Sequence, residues 1–378
     1  MFWTEQKLNA RINELSSYRY RDAQPITSFR SRVDEAGDIG ARPPEGGEWT
    51  AIAISDRWEG RDLYLWLEAE ASLPQAWRDR RIVGRFDFGK TGAGNNKGFE
   101  SLLYVNGEPF QGVDSNHQEV FLPAEAAGTN VKLQFRLWSG LEGGGVPCAQ
   151  EHRLNVAELA WLDEAADRLY YTAKAIMQTV AVLSEHAPER RDLLIAIDRA
   201  FLLVDWSRPG SAAFYDSVAG AENMLHDAIS NMKKASSVTV RCIGHTHIDV
   251  AWLWRLKHTR EKSARSFSTV LRLMEMFPEY VFLQTQPQLY EYLKADYPEL
   301  YEQLKERVRE GRWEAGGGMW LEADCNLTSG ESLVRQLLYG TRFLKEEFGQ
   351  ECTYLWLPDV FGYSWALPQI LRKSGIDT

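Results

Sequence analysis

Residues 238–252 read VTVRCIGHTHIDVAW, and this stretch decides the fold of the C-terminal part of the chain. Its first six residues favour extended backbone, and the glycine after them predicts the end of a strand. Because side chains alternate along a strand, His245, His247 and Asp249 are predicted to point to the same side. Imidazole and carboxylate groups gathered at a strand end can bind one divalent ion. The pattern therefore predicts a metal site at this strand end.

The residues that follow alternate between strand and helix patterns. Strands are predicted at 238–244, 280–285, 312–318 and 353–358, with helices at 259–277, 289–311, 330–349 and 364–375. Four strand–helix units in succession predict a parallel sheet with crossover helices. In such folds ligands bind at the carboxyl ends of the strands.

Polar and aromatic side chains follow these predicted strands and are expected to meet at one rim. His247 and Asp249, with Asp359 from the fourth strand, are predicted to bind zinc or a similar divalent ion. A catalytic site would need one more ligand and an open position. His245 is predicted to support the site or belong to the core. Glu322 and Asp324 are left open between the site and a cap of the next helix.

The predicted fold class is multidomain, α/β plus β. Residues 1–22 show helical spacing. A two-residue rhythm with turn signals from about residue 48 to 150 predicts a β-sandwich-like domain over 23–150. A helical region is predicted for 151–236, with helices at 156–186, 190–206 and 211–234. Residues 237–378 are predicted to form the first half of a parallel, barrel-like (β/α) catalytic domain that is truncated at its C-terminus.

Composition narrows the possible partners and the compartment. A net charge of −10 argues against nucleic acid and anionic membranes as partners. The chain has no apolar run long enough to span a membrane and no signal-peptide pattern. Its four widely spaced cysteines favour a reducing, cytoplasmic location without disulfides. Aromatic residues make up 12% of the chain, which fits either large aromatic cores or flat surfaces for sugar rings.

Several long segments resemble a known family. GHTHIDVAW at 244–252 and LWLPDVFGYSWALPQIL at 355–371 are similar to the two hallmark segments of the α-mannosidases of glycoside hydrolase family 38. QPQLYEYL and RWEAGGGMWLEADCNLTSGESLVRQ resemble the cytosolic and bacterial branch, as does GVDSNHQEVFLP in the β-rich part. The resemblance covers nearly the whole chain.

The resemblance implies a retaining exo-α-mannosidase with an active-site zinc ion, or a related ion such as Co²⁺. By motif position, His247, Asp249 and Asp359 would be metal ligands, and Asp359 would also be the catalytic nucleophile. Trp252 would lie under the terminal mannose, and Phe361 would line the same pocket. The family's remaining histidine ligand and its general acid lie beyond the last residue, so this chain is expected to be an inactive N-terminal portion of a (β/α)7-type enzyme.

Two other functions are compatible with the same residues. One is a metal-dependent carbohydrate deacetylase, in which metal-bound water attacks the substrate. The other is a sugar-binding module without catalysis. The expected substrates are mannose-containing oligosaccharides, and the full-length protein is a possible homo-oligomer. Linkage preference and the role of the β-rich domain are left open.

Overall fold

The computed structural model describes residues 4–89, 98–233 and 238–378. Within these ranges the chain forms a β-sandwich, a helical bundle and an α/β unit. No helix among the described residues has the length and apolar character needed to cross a membrane.

Among the described residues the β-sandwich contains twelve strands, all paired in antiparallel fashion, as the alternating sequence pattern predicts. Its strands are β1 Tyr20–Pro25, β2 Ser28–Asp34, β3 Thr50–Ala53, β4 Arg57–Gly60, β5 Tyr64–Ser72, β6 Arg81–Asp87, β7 Glu100–Val105, β8 Glu108–Asp114, β9 Glu119–Leu122, β10 Asn130–Trp138, β11 Gln150–Arg153 and β12 Val156–Leu162. A four-stranded sheet has the order β1-β12-β6-β9, and a six-stranded sheet has the order β3-β2-β5-β10-β7-β8. The strands β11 and β4 form a separate pair.

The two-residue period of the strands gives the six-stranded sheet two apolar faces. On β10, Leu133 and Phe135 point into the core between the two large sheets, together with Leu67 of β5. Trp66 of β5 lies on the opposite face and packs on the α/β unit. The six-stranded sheet is therefore covered on both sides.

Four helices form a bundle beside the sandwich: α1 Thr4–Leu15, α2 Glu164–Val182, α3 Pro188–Leu203 and α4 Ala212–Ser230. They share one apolar core that includes Leu8, Leu169, Ile197 and Val218. Side-chain oxygens of Asp163 and Ser211 cap the second and fourth of these helices.

The α/β unit contains three parallel strands in the order β13-β14-β15. Its elements are β13 Gly244–His245, α5 Leu256–Met276, β14 Phe282–Gln284, α6 Pro287–Asp296, α7 Pro298–Arg309, β15 Trp313–Ala315, α8 Gly330–Phe348 and α9 Leu367–Lys373. Each strand is followed by helix, so the predicted strand–helix alternation is confirmed for three units.

Two predicted strands of this unit are wrong in extent or type. The strand predicted at 238–244 is paired only at Gly244–His245, because Val240 and Ile243 upstream are 78% and 56% exposed and find no packing surface. Residues 353–358 do not form a strand either. Their backbone hydrogen bonds are isolated ones. Leu355 N donates to the Thr378 carbonyl (3.0 Å) and Trp356 N to the Gly317 carbonyl (3.4 Å), and the Thr353 carbonyl accepts from Asp377 N (2.9 Å) and Thr378 N (3.4 Å).

Two predicted helices also differ from the structure. Residues 156–162 form β12 and pair with β1 and β6, where the sequence predicts a single helix over 156–186. The helix predicted over 289–311 is divided into α6 and α7 at Tyr297. Pro298 has no amide N–H and disfavours helical backbone at the residue before it, so a new helix begins there. The division into four domains stays a prediction.

A buried ion pair joins the sandwich to the α/β unit. Arg136 of β10 lies on the outer face of its sheet, where Nη1 is 3.1 Å from Oε1 of Glu261 on α5. Its Nη2 donates to Asp34 at 2.8 Å. Glu261 also accepts from Gly40 N and from the hydroxyl of Tyr297. Burial disfavours the charge, but Glu261 and Asp34 raise the pKa of Arg136 above its ordinary value.

Replacing Arg136 by methionine is expected to lower the free energy of unfolding by about 3–5 kcal/mol, since Glu261 would be left charged without its cation. Urea denaturation followed by tryptophan fluorescence measures the change. Arg57→Met removes an exposed pair with Glu151 and should cost about 1 kcal/mol or less. Equal effects of the two substitutions would contradict a special role for the buried pair.

A second polar contact at this interface involves His258, which is fully buried near the start of α5. Its Nδ1 accepts from Arg255 N at 3.0 Å, and its Nε2 lies 2.5 Å from Oδ1 of Asp62. The neutral ring with a proton on Nε2 satisfies both contacts. Burial is the main cause that lowers the pKa of His258 from 6.5 to about 3, and four nearby cations lower it further. These cations are Lys257, Arg255, Arg265 and Lys262.

This pKa difference predicts acid sensitivity. The unfolded chain takes up a proton at His258 below its ordinary pKa, whereas the folded chain does not until pH approaches 3. The stabilisation is therefore present above pH 6.5 and is lost as the pH falls toward 3. Urea midpoints measured over this range should fall less steeply for His258→Gln than for the wild type. His226→Asn, at an exposed position of α4, should follow the wild type.

Candidate metal centre

The segment 246–249 is held by side chains from two neighbouring elements. Gln284 at the end of β14 donates from Nε2 to the Thr246 carbonyl at 3.2 Å, and Gln286 donates to the Ile248 carbonyl at 3.1 Å. Both glutamines are buried. On the other side, Thr259 of α5 donates its hydroxyl to the Asp249 carbonyl at 3.0 Å. These bonds fix the backbone that carries His247 and Asp249.

The three predicted ligand side chains lie close together. His247, Asp249 and Asp359 each offer one ligand atom, and these atoms lie within 4.8 Å of one another. Nε2 of His247 is 3.4 Å from Oδ1 of Asp249 and 3.3 Å from Oδ2 of Asp359. The carboxylates are 32% and 46% exposed, so the group opens to solvent.

This donor set fits a divalent metal ion. Nε2 of His247 is buried and makes no hydrogen bond of acceptable geometry with any described residue, although two carboxylates lie close to it. One imidazole nitrogen and two carboxylate oxygens are ligands that zinc accepts. Three protein ligands facing solvent also leave room for water or a substrate oxygen, as catalytic sites require.

Asp359 reaches the group because its loop is tied to the loop after β15. Cys325 and Tyr363 form an isolated parallel bridge between the two loops. Asn326 donates from Nδ2 to the Phe361 carbonyl at 3.3 Å. Gly362 is required at this crossing, because its φ is +134° and a Cβ atom there would lie 2.4 Å from Asn326 Nδ2. The site therefore depends on loop–loop contact as well as on the sheet.

Glu322 contacts His247 from the side opposite the carboxylates. Its Oε2 is 2.7 Å from His247 Nδ1, and its side chain is only 3% exposed. The hydrogen bond to Glu322 raises the pKa of His247 to about 9, although burial opposes the charge. A metal ion at Nε2 would have to displace a proton from this ring.

The other uncertain residues lie outside the ligand group. His245 packs edge-on against Trp356, with ring centroids 5.7 Å apart, and burial lowers its pKa. Asp324 accepts from the backbone N–H groups of Asn326 and Leu327, both at 2.8 Å. It closes a turn ahead of α8, whose cap is Ser329, so the alternative of a helix cap at Asp324 is wrong.

Exposed aromatic residues lie close in sequence to the candidate ligands. Trp252 is 55% exposed and packs edge-on against Trp254, with ring centroids 5.8 Å apart. Phe361, two residues after Asp359, is 91% exposed. Tryptophans of the sandwich are buried instead, including Trp58, Trp66 and Trp138. Flat rings next to open carboxylates can contact the faces of a sugar.

Sequence reasoning missed the residues that hold this segment in place. These residues are Gln284, Gln286 and Thr259. The available signal was the placement of two glutamines directly after a predicted strand, where buried amides must find partners.

Comparisons with known proteins agree with this arrangement. Residues 237–378 match the model of the glycosyl hydrolases family 38 N-terminal domain. Residues 41–139 match the model of the α-mannosidase jelly roll domain. Two successive parts of the chain therefore match domain models described for glycosyl hydrolases and for alpha-mannosidases. The chain belongs to glycoside hydrolase family 38.

Three relatives illustrate the similarity. Alpha-mannosidase G of Dictyostelium discoideum is 32% identical over 82% of this chain and 29% of its own length. Human alpha-mannosidase 2C1 is 31% identical over 93% of this chain and 33% of its own. An alpha-mannosidase of Saccharomyces cerevisiae is 46% identical over 36% of this chain and 13% of its own. The chain spans about a third or less of the length of these relatives.

Removal of the imidazole tests the ligand group. His247→Ala is expected to weaken Zn²⁺ affinity by more than about 100-fold. Mutating a residue that hydrogen-bonds to a metal ligand typically costs about 10–100-fold, and losing the ligand itself should cost more. Competition with a chromophoric chelator measures the dissociation constant. His186→Ala removes an exposed histidine before α3 and should leave the affinity unchanged. Undiminished Zn²⁺ binding by His247→Ala would rule out this site.

Proposed function

We propose that this chain forms part of a retaining exo-α-mannosidase that removes terminal non-reducing α-D-mannose from oligosaccharides or glycans. The observation that carries the proposal is the coincidence of two findings. The segment matching the family 38 domain contains His247, Asp249 and Asp359, and their ligand atoms converge on one point. The α-mannosidase relatives support the same reaction.

In this proposal His247, Asp249 and Asp359 hold a zinc ion or a related divalent ion such as Co²⁺. When bound, the ion would supply positive charge that fixes neighbouring hydroxyl groups of the terminal mannose and favours its distortion. The half-exposed Asp359 leaves a carboxylate oxygen available to a substrate, as a nucleophile requires. Trp252 would support one face of the sugar, and Phe361 would line the pocket.

The chemistry proposed for Asp359 is nucleophilic displacement at the anomeric carbon. A bond forms between a carboxylate oxygen and that carbon while the glycosidic bond breaks, and the leaving oxygen takes a proton from a carboxylic acid. Water then hydrolyses the glycosyl ester, so the configuration is retained. In retaining enzymes the acid lies about 5–5.5 Å from the nucleophile. None of the residues named above is assigned that role.

The same proposal extends to the fold and the compartment. The three parallel strands with their helices are consistent with part of a barrel-like catalytic domain, whose ligands lie at the carboxyl ends of the strands. The four cysteines are all unpaired thiols, which fits a cytoplasmic location.

Hydrolysis of p-nitrophenyl α-mannoside by the full-length protein tests the reaction. We expect release of p-nitrophenol that a strong chelator suppresses and added Zn²⁺ or Co²⁺ restores. Proton NMR at early times should show α-mannose as the first product, since two displacements retain configuration. No release from a folded, metal-supplemented protein would reject the proposal, and β-mannose as the first product would reject the retaining step.

Asp359→Asn tests the nucleophile. The substitution is expected to lower kcat by more than about 1,000-fold, because an amide cannot form the covalent intermediate. Asp216→Asn makes the same chemical change at an exposed position of α4 and should retain the wild-type rate. A near-wild-type kcat for Asp359→Asn would exclude this residue as nucleophile.

A further inference from the structure

We propose that Glu322 is a positioning residue that sets the orientation of His247 and directs its Nε2 toward the metal. The inference rests on the proposed metal site and adds a residue that does not itself contact the ion or the substrate. It depends on three observations: the contact between Glu322 and the imidazole, the burial of the carboxylate, and the rigidity of its loop.

The contact defines which nitrogen faces the ion. Oε2 of Glu322 lies 2.7 Å from Nδ1 of His247, whereas Nε2 of the same ring faces Asp249 and Asp359. A carboxylate can only accept, so Nδ1 must carry the proton in this bond. With the proton fixed at Nδ1, the ring can present a lone pair at Nε2, which is the form that binds a metal.

The burial of Glu322 is difficult to explain by stability alone. Its Oε1 is buried and has no hydrogen-bond partner among the residues that the structure describes. A carboxylate oxygen in this state is unfavourable, because it has lost water without gaining a donor. The same carboxylate lies 2.7 Å from Nδ1 of His247, a candidate ligand. A role in the metal site explains why an unfavourably buried carboxylate is found at this position.

The loop that carries Glu322 is fixed on both sides of it. The backbone N–H of Leu321 donates to Oε1 of Gln336 on α8 at 3.0 Å, and Trp320 donates to the Gln336 carbonyl at 2.9 Å. On the other side, Ala323 and Cys325 are buried in the core beneath α8 and α9. The carboxylate is therefore held by the protein fold and does not depend on the ion for its place.

A neutral amide at this position would remove that control. Glutamine can turn either its oxygen or its NH₂ group toward Nδ1. When the NH₂ group donates, the imidazole must keep its proton on Nε2 and cannot bind the ion. Even when the amide oxygen accepts from Nδ1, the negative charge of the carboxylate is missing. That charge makes the imidazole a stronger ligand for the metal.

The test is Zn²⁺ affinity of the full-length protein, measured by competition with a chromophoric chelator for the wild type, Glu322→Gln and Asp324→Asn. We expect Glu322→Gln to bind Zn²⁺ about 10–100-fold more weakly. Asp324→Asn is the matched control, because it makes the same acid-to-amide change two residues away in a side chain that only closes a turn. Its affinity should stay within about twofold of the wild type.

A spectroscopic readout separates positioning from general damage to the fold. In Co²⁺-loaded protein the ring N–H of the bound His247 should give a shifted proton resonance that exchanges slowly with solvent, because Glu322 accepts that proton. We expect faster exchange in Glu322→Gln at unchanged circular dichroism. Glu322→Asp keeps the charge but shortens the side chain by one methylene. Its Zn²⁺ affinity should lie between those of the wild type and Glu322→Gln.

The outcomes distinguish this proposal from the proposed reaction. Equal Zn²⁺ affinity of the wild type and Glu322→Gln overturns the positioning role, even when the wild type hydrolyses the mannoside. A selective loss in Glu322→Gln supports it, even when no mannoside is hydrolysed. A wild type that binds no Zn²⁺ overturns both.

Discussion

The buried pair of Arg136 and Glu261 is the contact on which the geometry of the site depends. It attaches α5 to the sandwich, and the same helix holds the Asp249 carbonyl through the hydroxyl of Thr259. A charge pair taken out of water adds little net stability, but it tolerates only one arrangement of its partners. The sandwich therefore acts as a rigid platform for the first ligand segment, although none of the three ligand atoms comes from it.

Much of the architecture could be predicted from periodicity. Alternation along 64–72 and 130–138 indicates strands with two faces, and helical spacing with capping residues indicates α2, α4 and α8. The errors occur where local pattern is ambiguous. VAELAWL in β12 fits both a strand and a helix, and only pairing with β1 and β6 decides between them. At 238–243 the residues clearly favour a strand, but the structure shows none there. A strand also needs a neighbouring strand or a packing surface.

The ligand group was predictable in part. The i, i+2 spacing of His247 and Asp249 follows from extended backbone. The carboxyl-end rule of parallel sheets also predicts Asp359 at this rim, but for the wrong reason, because the predicted strand before it does not form and the bridge between Cys325 and Tyr363 holds its loop instead. The part played by Glu322 was not predictable, because it depends on the path of the loop after β15 across α8. No periodic pattern encodes such a path. The hydrogen bonds from Gln284 and Gln286 are likewise visible only when both strand ends are in place.

One of the three candidate ligands is far from the other two along the chain, since Asp359 comes 112 residues after His247 (359 − 247). An ion held by both residues would bind the folded chain and not the unfolded one, in which the two residues are held apart by a long stretch of chain. Its free energy of binding would then add to the free energy of unfolding in proportion to the logarithm of free metal concentration. Resistance of this chain to heat and to proteases would therefore vary with the metal supply of its surroundings.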